Sequence, residues 1–183
     1  MALFDVIKHL HPSNPSGIIG HSAGDNIAAY ADGCLSAEQV ILLIDAVAKA
    51  LLATKRYSGG MAIIGLPWKD IQKMCPPDIY FSGENSQSNI LVSGPSESLK
   101  GFAKKLQMNG VFVRLLETCE FAPHSPYMDA ACELLHNYLT EIIPIKKLRS
   151  SKWLTTSALE EDWGSPEVKY VSDVYPSNIL KNQ

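Results

Sequence analysis

A serine flanked by glycines near the amino end carries the strongest chemical signal in the sequence. Residues Gly20–Gly24 read Gly-His-Ser-Ala-Gly, the G-x-S-x-G pattern of a nucleophilic serine. β-branched residues precede this pattern and small, helix-compatible residues follow it, as expected where a strand turns sharply into a helix. Gly20 and Gly24 have no Cβ, so we expect the strand and the helix to approach closely around Ser22. The sequence therefore predicts that Ser22 attacks acyl carbons; the alternative is an ordinary serine in a glycine-rich turn.

A histidine in the second half of the chain is the candidate base. His124 lies at the mouth of a helix predicted over 126–143. Imidazole is the side chain whose ordinary pKa suits removal of a serine proton near neutral pH. A structural histidine is the alternative reading at this position. The remaining histidines are weaker candidates: His9, His11, His21 and His136.

Composition and charge exclude several classes of protein. The chain has 183 residues, of which 46% are hydrophobic and 19% charged, so it is long and apolar enough to fold around a core. A net charge of −3 argues against a nucleic-acid partner, and no apolar run approaches the ~18 residues of a membrane span. The four cysteines form no C-x-x-C pair, which favours reduced thiols over disulfides or a metal site. We expect a cytoplasmic protein with no metal, nucleic acid or membrane partner.

The first part of the chain is predicted to contain three helices and one short strand. The helices cover 2–10, 23–31 and 37–54, and the strand covers 17–20. Ser36 and Gln39 form a capping box at the start of the third helix, and Gly33 suits the left-handed position that ends the second. The third helix is apolar nearly all round, so we expect it to be buried.

The order of elements changes from residue 61. Strands are predicted over 61–65, 78–82, 90–93 and 111–116, with helices over 67–74 and 96–108. This β-α-β-β-α-β order is that of a ferredoxin-like unit. We therefore predict an α/β fold in which an incomplete, hydrolase-like parallel-sheet subdomain (1–60 and 118–183) carries an inserted ferredoxin-like α+β subdomain (61–117). A further strand over 152–157 belongs to the larger subdomain.

Linked motifs across the chain resemble one family, the malonyl/acetyltransferase domain of animal-type fatty acid synthase. The motifs are Gly20–Asp25, Tyr30–Ser36, Ser93–Pro95, Ala122–Ser125 and Trp153–Ser157. The resemblance covers nearly the whole chain and implies a domain truncated at both ends. It implies a cytoplasmic transferase of fatty acid biosynthesis with no bound cofactor. An acyl group would pass from coenzyme A to serine and then to the phosphopantetheine thiol of an acyl carrier protein, alongside the other synthase domains.

The resemblance also assigns roles to individual residues. Ser22 would be the nucleophile, His124 the general base and later acid, and the Ala23 backbone N–H an oxyanion donor. The family's second oxyanion donor comes from an upstream strand for which this sequence has no counterpart. The implied substrate-binding positions are His21, Val47, Asn85 and Pro123.

Two of these positions depart from the family pattern. Val47 stands where the family has the arginine that pairs with a malonyl carboxylate, so the sequence favours neutral acyl groups. Pro123 stands where an aromatic or hydroxyl residue usually precedes the histidine.

Two alternatives remain at the level of sequence. One is a non-catalytic remnant of an acyltransferase, which the missing arginine and the missing terminal elements favour. The other is a serine esterase or thioesterase, a class that places an acidic residue between serine and histidine along the chain. The inserted β-α-β-β-α-β unit argues against this second class.

Overall fold

Helices and strands alternate along the computed structural model, which describes residues 1–13, 15–55, 57–145, 147–158, 160–165 and 170. The helices are α1 (Ala2–Leu10), α2 (Gly24–Ala31), α3 (Ala37–Thr54), α4 (Trp68–Ile71), α5 (Ser96–Met108) and α6 (Asp129–Ile142). The strands are β1 (Ile18–Gly20), β2 (Gly59–Ile64), β3 (Tyr80–Ser86), β4 (Asn89–Pro95), β5 (Val113–Leu116) and β6 (Trp153–Thr155). Short 3₁₀ turns cover Pro126–Met128 and Glu160–Asp162. In the described part of the chain, no helix combines the length and apolar character that a bilayer span requires.

The strands form two separate sheets. β1 and β6 pair in parallel, with Ile18 opposite Trp153 and Gly20 opposite Thr155. The other four strands form an antiparallel sheet in the order β3-β4-β2-β5. That order is the one a β-α-β-β-α-β unit adopts when its first and third strands are central. The predicted α/β combination of a parallel sheet with a ferredoxin-like antiparallel one is therefore confirmed.

The described residues fall into two compact units. The first contains 1–49 and the segment that begins at residue 133, and the second contains 50–132. The boundaries between the units fall inside α3 and α6. The predicted bounds of the inserted subdomain, 61–117, stay a proposal.

The antiparallel sheet of the second unit packs its apolar face against α5. Ala62, Ile64, Ile90 and Val92 project from the central strands at spacings of two, as one face of a sheet requires. Helix α5 has the predicted bounds, and its predicted inward residues join the same buried cluster: Leu99, Phe102, Ala103 and Leu106. The apolar periodicity of α5 in the sequence therefore predicted this packing correctly.

The β3–β4 hairpin and helix α4 differ most from the prediction for the second unit. The segment 84–88, between the predicted strands 78–82 and 90–93, is mostly strand, because β3 and β4 continue until Ser86 pairs with Asn89. The extension carries exposed polar residues, so no hydrophobic alternation marks it in the sequence. Helix α4 is shorter than the predicted 67–74, and Pro67 caps it with an extended backbone rather than lying within its first turn.

Helix α3 buries only one of its faces. The capping box is confirmed: the Ser36 N–H donates to Gln39 Oε1 at 3.0 Å and the Gln39 N–H to Ser36 Oγ at 3.1 Å. The expectation that this helix is buried holds for one face of the described helix only. Val40, Leu43, Ala46 and Ala50 are buried on one stripe, whereas the large apolar residues outside it are exposed: Ile41, Leu42, Ile44 and Leu52.

Helices α1 and α2 contact each other through aromatic and polar side chains. The rings of Phe4 and Tyr30 lie 6.0 Å apart, and the Tyr30 hydroxyl donates to Asp5 at 2.7 Å. Helix α1 has the predicted bounds but buries none of its residues. Gly33 adopts a φ of 77°, which confirms the left-handed end predicted for α2.

We predict that Ser36→Ala lowers the free energy of unfolding by about 1 kcal/mol, because it removes the acceptor for the Gln39 N–H. Ser36→Asp keeps an acceptor there and is the matched control. Urea unfolding followed by circular dichroism measures both. Equal losses in the two variants would contradict the capping role.

Candidate active site

Ser22 lies on a sharp turn between a strand and a helix. β1 ends at Gly20 and α2 begins at Gly24, so the local structure predicted from the G-x-S-x-G pattern is confirmed. The backbone of Ser22 has a φ of 52°. Side-chain-bearing residues rarely adopt a positive φ, and those that do concentrate at functional sites. The turn therefore gives Ser22 the strained backbone expected of a nucleophile.

The two glycines of the pattern differ in their steric role. A Cβ on Gly20 would lie 2.5 Å from the Asp25 nitrogen and 2.5 Å from the carbonyl carbon of Gly24. Such a contact is too close for real atoms, so only glycine lets β1 approach α2 this closely. A Cβ on Gly24 would meet no described atom within 4 Å. The close-approach role predicted for Gly24 is therefore not supported by its surroundings.

The Ala23 N–H, just before α2, differs from the first N–H groups of the helix itself. The Gly24 N–H donates to His21 O at 2.8 Å, and the Asp25 N–H donates to Ser22 O at 3.0 Å. No backbone carbonyl of the described residues accepts the N–H of Ala23, the exposed residue that follows Ser22. Helix amino ends favour anions because such N–H groups and the helix dipole act together. The geometry suits the Ala23 N–H to an oxyanion.

A buried carboxylate joins this turn to β6. Asp25 is 0% exposed and accepts the Trp153 Nε1–H at 2.8 Å and the Thr155 hydroxyl at 2.9 Å. Burial raises the pKa of Asp25 above its ordinary value, while the hydrogen bonds from Trp153 and Thr155 oppose the rise. Asp25 and Trp153 appear in the family motifs, but their sequence positions revealed no role. Their partnership is visible only once β6 pairs with β1.

Further polar contacts hold β6 in place. The Thr156 hydroxyl donates to Gly20 O at 2.9 Å, and the Trp163 Nε1–H donates to Thr155 O at 2.9 Å. The Arg149 guanidinium donates to the carbonyls of Trp153 and Trp163 and lies 5.6 Å from the Trp153 ring centroid. These contacts fix the strand that carries the donors to Asp25.

His124 lies in a buried loop of the second unit. The residue is 4% exposed and has a φ of 56°. The Ser125 hydroxyl, also buried, donates to Ala122 O at 2.6 Å and closes the turn around His124. Pro123, which precedes the histidine, is half-buried. His124 therefore has little rotational freedom, as a base of fixed direction needs.

A group of three tyrosines packs just after this loop. The rings of Tyr57 and Tyr127 lie 4.6 Å apart, and those of Tyr80 and Tyr127 lie 5.5 Å apart. The Tyr127 hydroxyl donates to Asp78 O at 3.1 Å. This packing anchors the chain where it leaves the His124 loop.

The remaining predicted site residues lie on different elements. His21 is exposed on the Ser22 turn, and Val47 is half-buried on α3 in the first unit. Asn85 is exposed near the β3–β4 turn, where its side chain donates to Asn89 Oδ1 at 3.2 Å. Their roles in substrate binding stay predictions. No group of metal-binding side chains occurs within the described ranges.

Comparison with protein families and curated proteins gives a consistent result. A family model described as "Acyl transferase domain" matches residues 1–183. A reducing polyketide synthase of Fusarium langsethiae is 30% identical over 179 residues, which are 92% of this chain and 8% of that protein. The 6-methylsalicylic acid synthase of Aspergillus terreus is 28% identical over 163 residues, 88% of this chain and 9% of that protein. The chain thus spans less than a tenth of the length of these two relatives.

Solved structures share the fold. The acyltransferase domain of the polyketide synthase PpsC of Mycobacterium tuberculosis matches with a TM-score of 0.83 and 18% identity, over 100% of this chain and 55% of that chain. The malonyl CoA-acyl carrier protein transacylase of Burkholderia pseudomallei matches with a TM-score of 0.80 and 21% identity, over 99% of this chain and 61% of that chain.

We predict that Asp25→Ala lowers the free energy of unfolding by about 1–3 kcal/mol, because it leaves buried donors on Trp153 and Thr155 without an acceptor. Asp25→Asn keeps a carbonyl oxygen there and is expected to cost less. Thermal and urea unfolding at neutral pH measure the difference. A smaller loss in the alanine variant than in the asparagine variant would contradict the role of Asp25.

The pH dependence of the free energy of unfolding, compared between wild type and Asp25→Asn, tests the same contact in a second way. A carboxyl whose pKa is raised by folding stabilises most below its ordinary pKa, and that contribution is lost as the pH rises through the raised value. As the pH rises above the ordinary carboxyl pKa of about 4 and through the raised pKa of Asp25, wild type is therefore expected to lose more stability than Asp25→Asn.

Proposed function

The chain belongs to the acyl transferase domain family, and on that premise we propose that Ser22 carries an acyl group from coenzyme A to the phosphopantetheine thiol of an acyl carrier protein. One observation supports this proposal above the others. Ser22 occupies a backbone with a φ of 52° at the amino end of α2, beside the Ala23 N–H. A serine held in this way meets the needs of acyl transfer better than those of a structural turn.

The first half-reaction loads the serine. His124 takes the proton of the Ser22 hydroxyl as its Oγ attacks the thioester carbonyl carbon. The Ala23 N–H and the amino end of α2 stabilise the oxyanion that forms. The carbon–sulfur bond then breaks, and His124 returns the proton to the departing coenzyme A thiol. Ser22 is left as an ester.

The second half-reaction transfers the acyl group to the acceptor. The phosphopantetheine thiol loses its proton to His124 and attacks the serine ester through the same oxyanion geometry. Collapse of the intermediate breaks the ester bond, and His124 protonates the Ser22 oxygen. No bound cofactor is needed in this scheme, since the acyl group passes from one thiol carrier to the other through the serine ester alone.

We place this activity within a multidomain synthase. The relative from Fusarium langsethiae and the matching structure from Mycobacterium tuberculosis are described as polyketide synthase proteins, so we propose a synthase of that type in place of the animal fatty acid synthase that the sequence motifs resemble. Its carrier protein and neighbouring domains would be the partners. None of the four cysteines forms a disulfide, which is consistent with the cytoplasmic location that we propose.

We predict that Ser22→Ala abolishes acylation by acetyl coenzyme A and labelling by a fluorophosphonate, because among the described residues no other hydroxyl-bearing side chain lies on a positive-φ turn. Intact-mass spectrometry measures the covalent adduct. Ser86→Ala, at an exposed serine of β3, is the matched control and keeps the label. His124→Ala is expected to slow acylation by ~10²–10⁴-fold, as loss of a general base does.

Two results would reject this assignment. A covalent adduct that persists in Ser22→Ala places the nucleophile elsewhere. An unmodified acylation rate in His124→Ala shows that another group takes the proton. Absence of any adduct in wild type would favour the non-catalytic alternative.

Val47 bears on the choice of acyl group. The residue is half-buried on α3, and its buried neighbours Leu43 and Ala46 are apolar. A malonyl carboxylate bound against this surface would be poorly solvated, and position 47 would offer it no arginine as a partner. An unpaired charge in such surroundings costs several kcal/mol, whereas an acetyl or longer neutral group incurs no such cost. We therefore propose a preference for neutral acyl groups.

We predict that Val47→Arg shifts the preference from acetyl towards malonyl coenzyme A by at least about tenfold, because an Arg–carboxylate pair offsets the desolvation of the malonyl charge. Val47→Met adds length without charge and is the matched control. A competition assay with both thioesters, read by intact mass, measures the ratio of adducts. Malonyl loading that equals or exceeds acetyl loading in the wild-type protein would contradict the proposal.

A further inference from the structure

The loop that carries His124 contains an unusual concentration of left-handed residues. Cys119, Glu120 and His124 have φ values of 52°, 63° and 56°, and none of them is glycine. Residues with a Cβ keep such a backbone only where surrounding contacts impose it. The direction of the His124 ring therefore depends on whatever holds the segment 118–125, which we term the base loop.

Gly59, the first residue of β2, contacts the backbone of the base loop directly. Its N–H donates to Glu120 O at 2.7 Å. A Cβ on Gly59 would lie 2.6 Å from the Ala122 nitrogen and 2.8 Å from the carbonyl carbon of Phe121. Both are backbone atoms, so any side chain at position 59 would displace the base loop itself.

Thr118 closes the base loop from its amino end. Its hydroxyl donates to Phe121 O at 2.7 Å, and Phe121 returns a backbone N–H to Thr118 O at 3.0 Å. These two bonds enclose the left-handed pair Cys119 and Glu120. The Ser125 hydroxyl bond to Ala122 O adds a third contact, so backbone groups of both Phe121 and Ala122 are hydrogen-bonded.

Contacts at the surface add less to this arrangement. Lys55 pairs with Glu120 at 2.6 Å and lies 5.2 Å from the Phe121 ring centroid. The Glu120 side chain is 66% exposed, and exposed ion pairs are screened by solvent. The pair cannot hold the base loop by itself.

Packing also leaves the base loop unconfined on one side. A cavity of about 220 Å³ is bordered by Gly59 and Gly60 from β2 and by Thr118 and Glu120 from the loop. The Gly59 contact and the Thr118 hydroxyl bond both lie beside this space.

We infer that Gly59 and Thr118 are positioning residues that set the direction of His124 for proton transfer. This inference rests on the proposed function, in which His124 is the base. Neither residue touches the substrate in this scheme; each acts through the backbone of the base loop. A displacement of about 1 Å in a catalytic group can lower a rate by ~10²-fold, so small shifts of this loop matter.

Thr118 offers the cleaner test because its replacement can conserve shape. Thr118→Val removes the hydroxyl bond to Phe121 and is expected to slow the maximal rate of serine acylation by about 3- to 10-fold, the value of one hydrogen bond. The concentration of acetyl coenzyme A at half-maximal rate is expected to stay unchanged. Thr118→Ser restores the hydroxyl and is expected to recover the rate.

Gly59→Ala is the stronger perturbation and has a neighbouring control. It is expected to slow acylation by ~10²-fold at saturating acetyl coenzyme A. In Gly60→Ala, the new Cβ would lie 3.1 Å from Leu99 Cδ2, at the far end of a flexible side chain. That variant perturbs β2 without touching the base loop, so it is expected to keep the acylation rate. Circular dichroism establishes that each variant is folded.

The outcomes separate this inference from the proposed function. The wild type is assayed in the full-length synthase beside three variants of it: His124→Ala, Thr118→Val and Thr118→Ser. A slow His124→Ala variant together with a full rate in Thr118→Val overturns the positioning role alone. A full rate in His124→Ala overturns both proposals. A rate lost in Thr118→Val and regained in Thr118→Ser, at constant half-saturation, supports the inference even if Gly59→Ala does not fold.

Discussion

The buried carboxylate of Asp25 is the interaction on which the geometry around Ser22 depends. It joins α2 to β6, whose Trp153 lies 128 residues further along the chain. The strands β1 and β6 are three residues long, and a two-stranded sheet of that size has little stability of its own. The hydrogen bonds from Trp153 and Thr155 to Asp25 therefore fix the register of β6 against β1, which the short backbone pairing alone would hold weakly. The positive φ of Ser22 is tolerated because this frame is fixed on both sides of the turn.

Both candidate catalytic side chains stand on backbone that most residues avoid. Ser22 and His124 each have a positive φ, and each turn is closed against a glycine without a Cβ, Gly20 in one unit and Gly59 in the other. A glycine at the end of a strand thus makes room for a positive-φ turn beside the parallel sheet and beside the antiparallel one. Contacts that hold the strained turn leave the reactive atoms little freedom, which lowers the entropy lost on reaching the transition state.

Helix α3 connects the question of substrate with the question of fold. Its buried stripe packs within the described chain, while apolar residues on its other faces are exposed. Val47 stands at the edge of the buried stripe and is half-buried. Within α3 the one basic residue is Lys49, which pairs with Asp45 at 2.7 Å. The proposed preference for neutral acyl groups rests on this apolar position, where a buried charge would be costly.

Much of this protein followed from the sequence by itself, where local physics decides. The periodicity of α5, the capping box of Ser36 and Gln39, and the G-x-S-x-G turn around Ser22 all depend on residues within a few positions of one another. The β3–β4 extension did not follow, because its exposed polar residues leave no hydrophobic pattern. The one-sided burial of α3 did not follow either, since an apolar sequence does not say which faces find a neighbour. Only the tertiary structure revealed the hydrogen bond from Trp153 to Asp25 and the close approach of Gly59 to Ala122. Each of these contacts joins segments far apart in the chain, and neither segment carries a periodic pattern that predicts it.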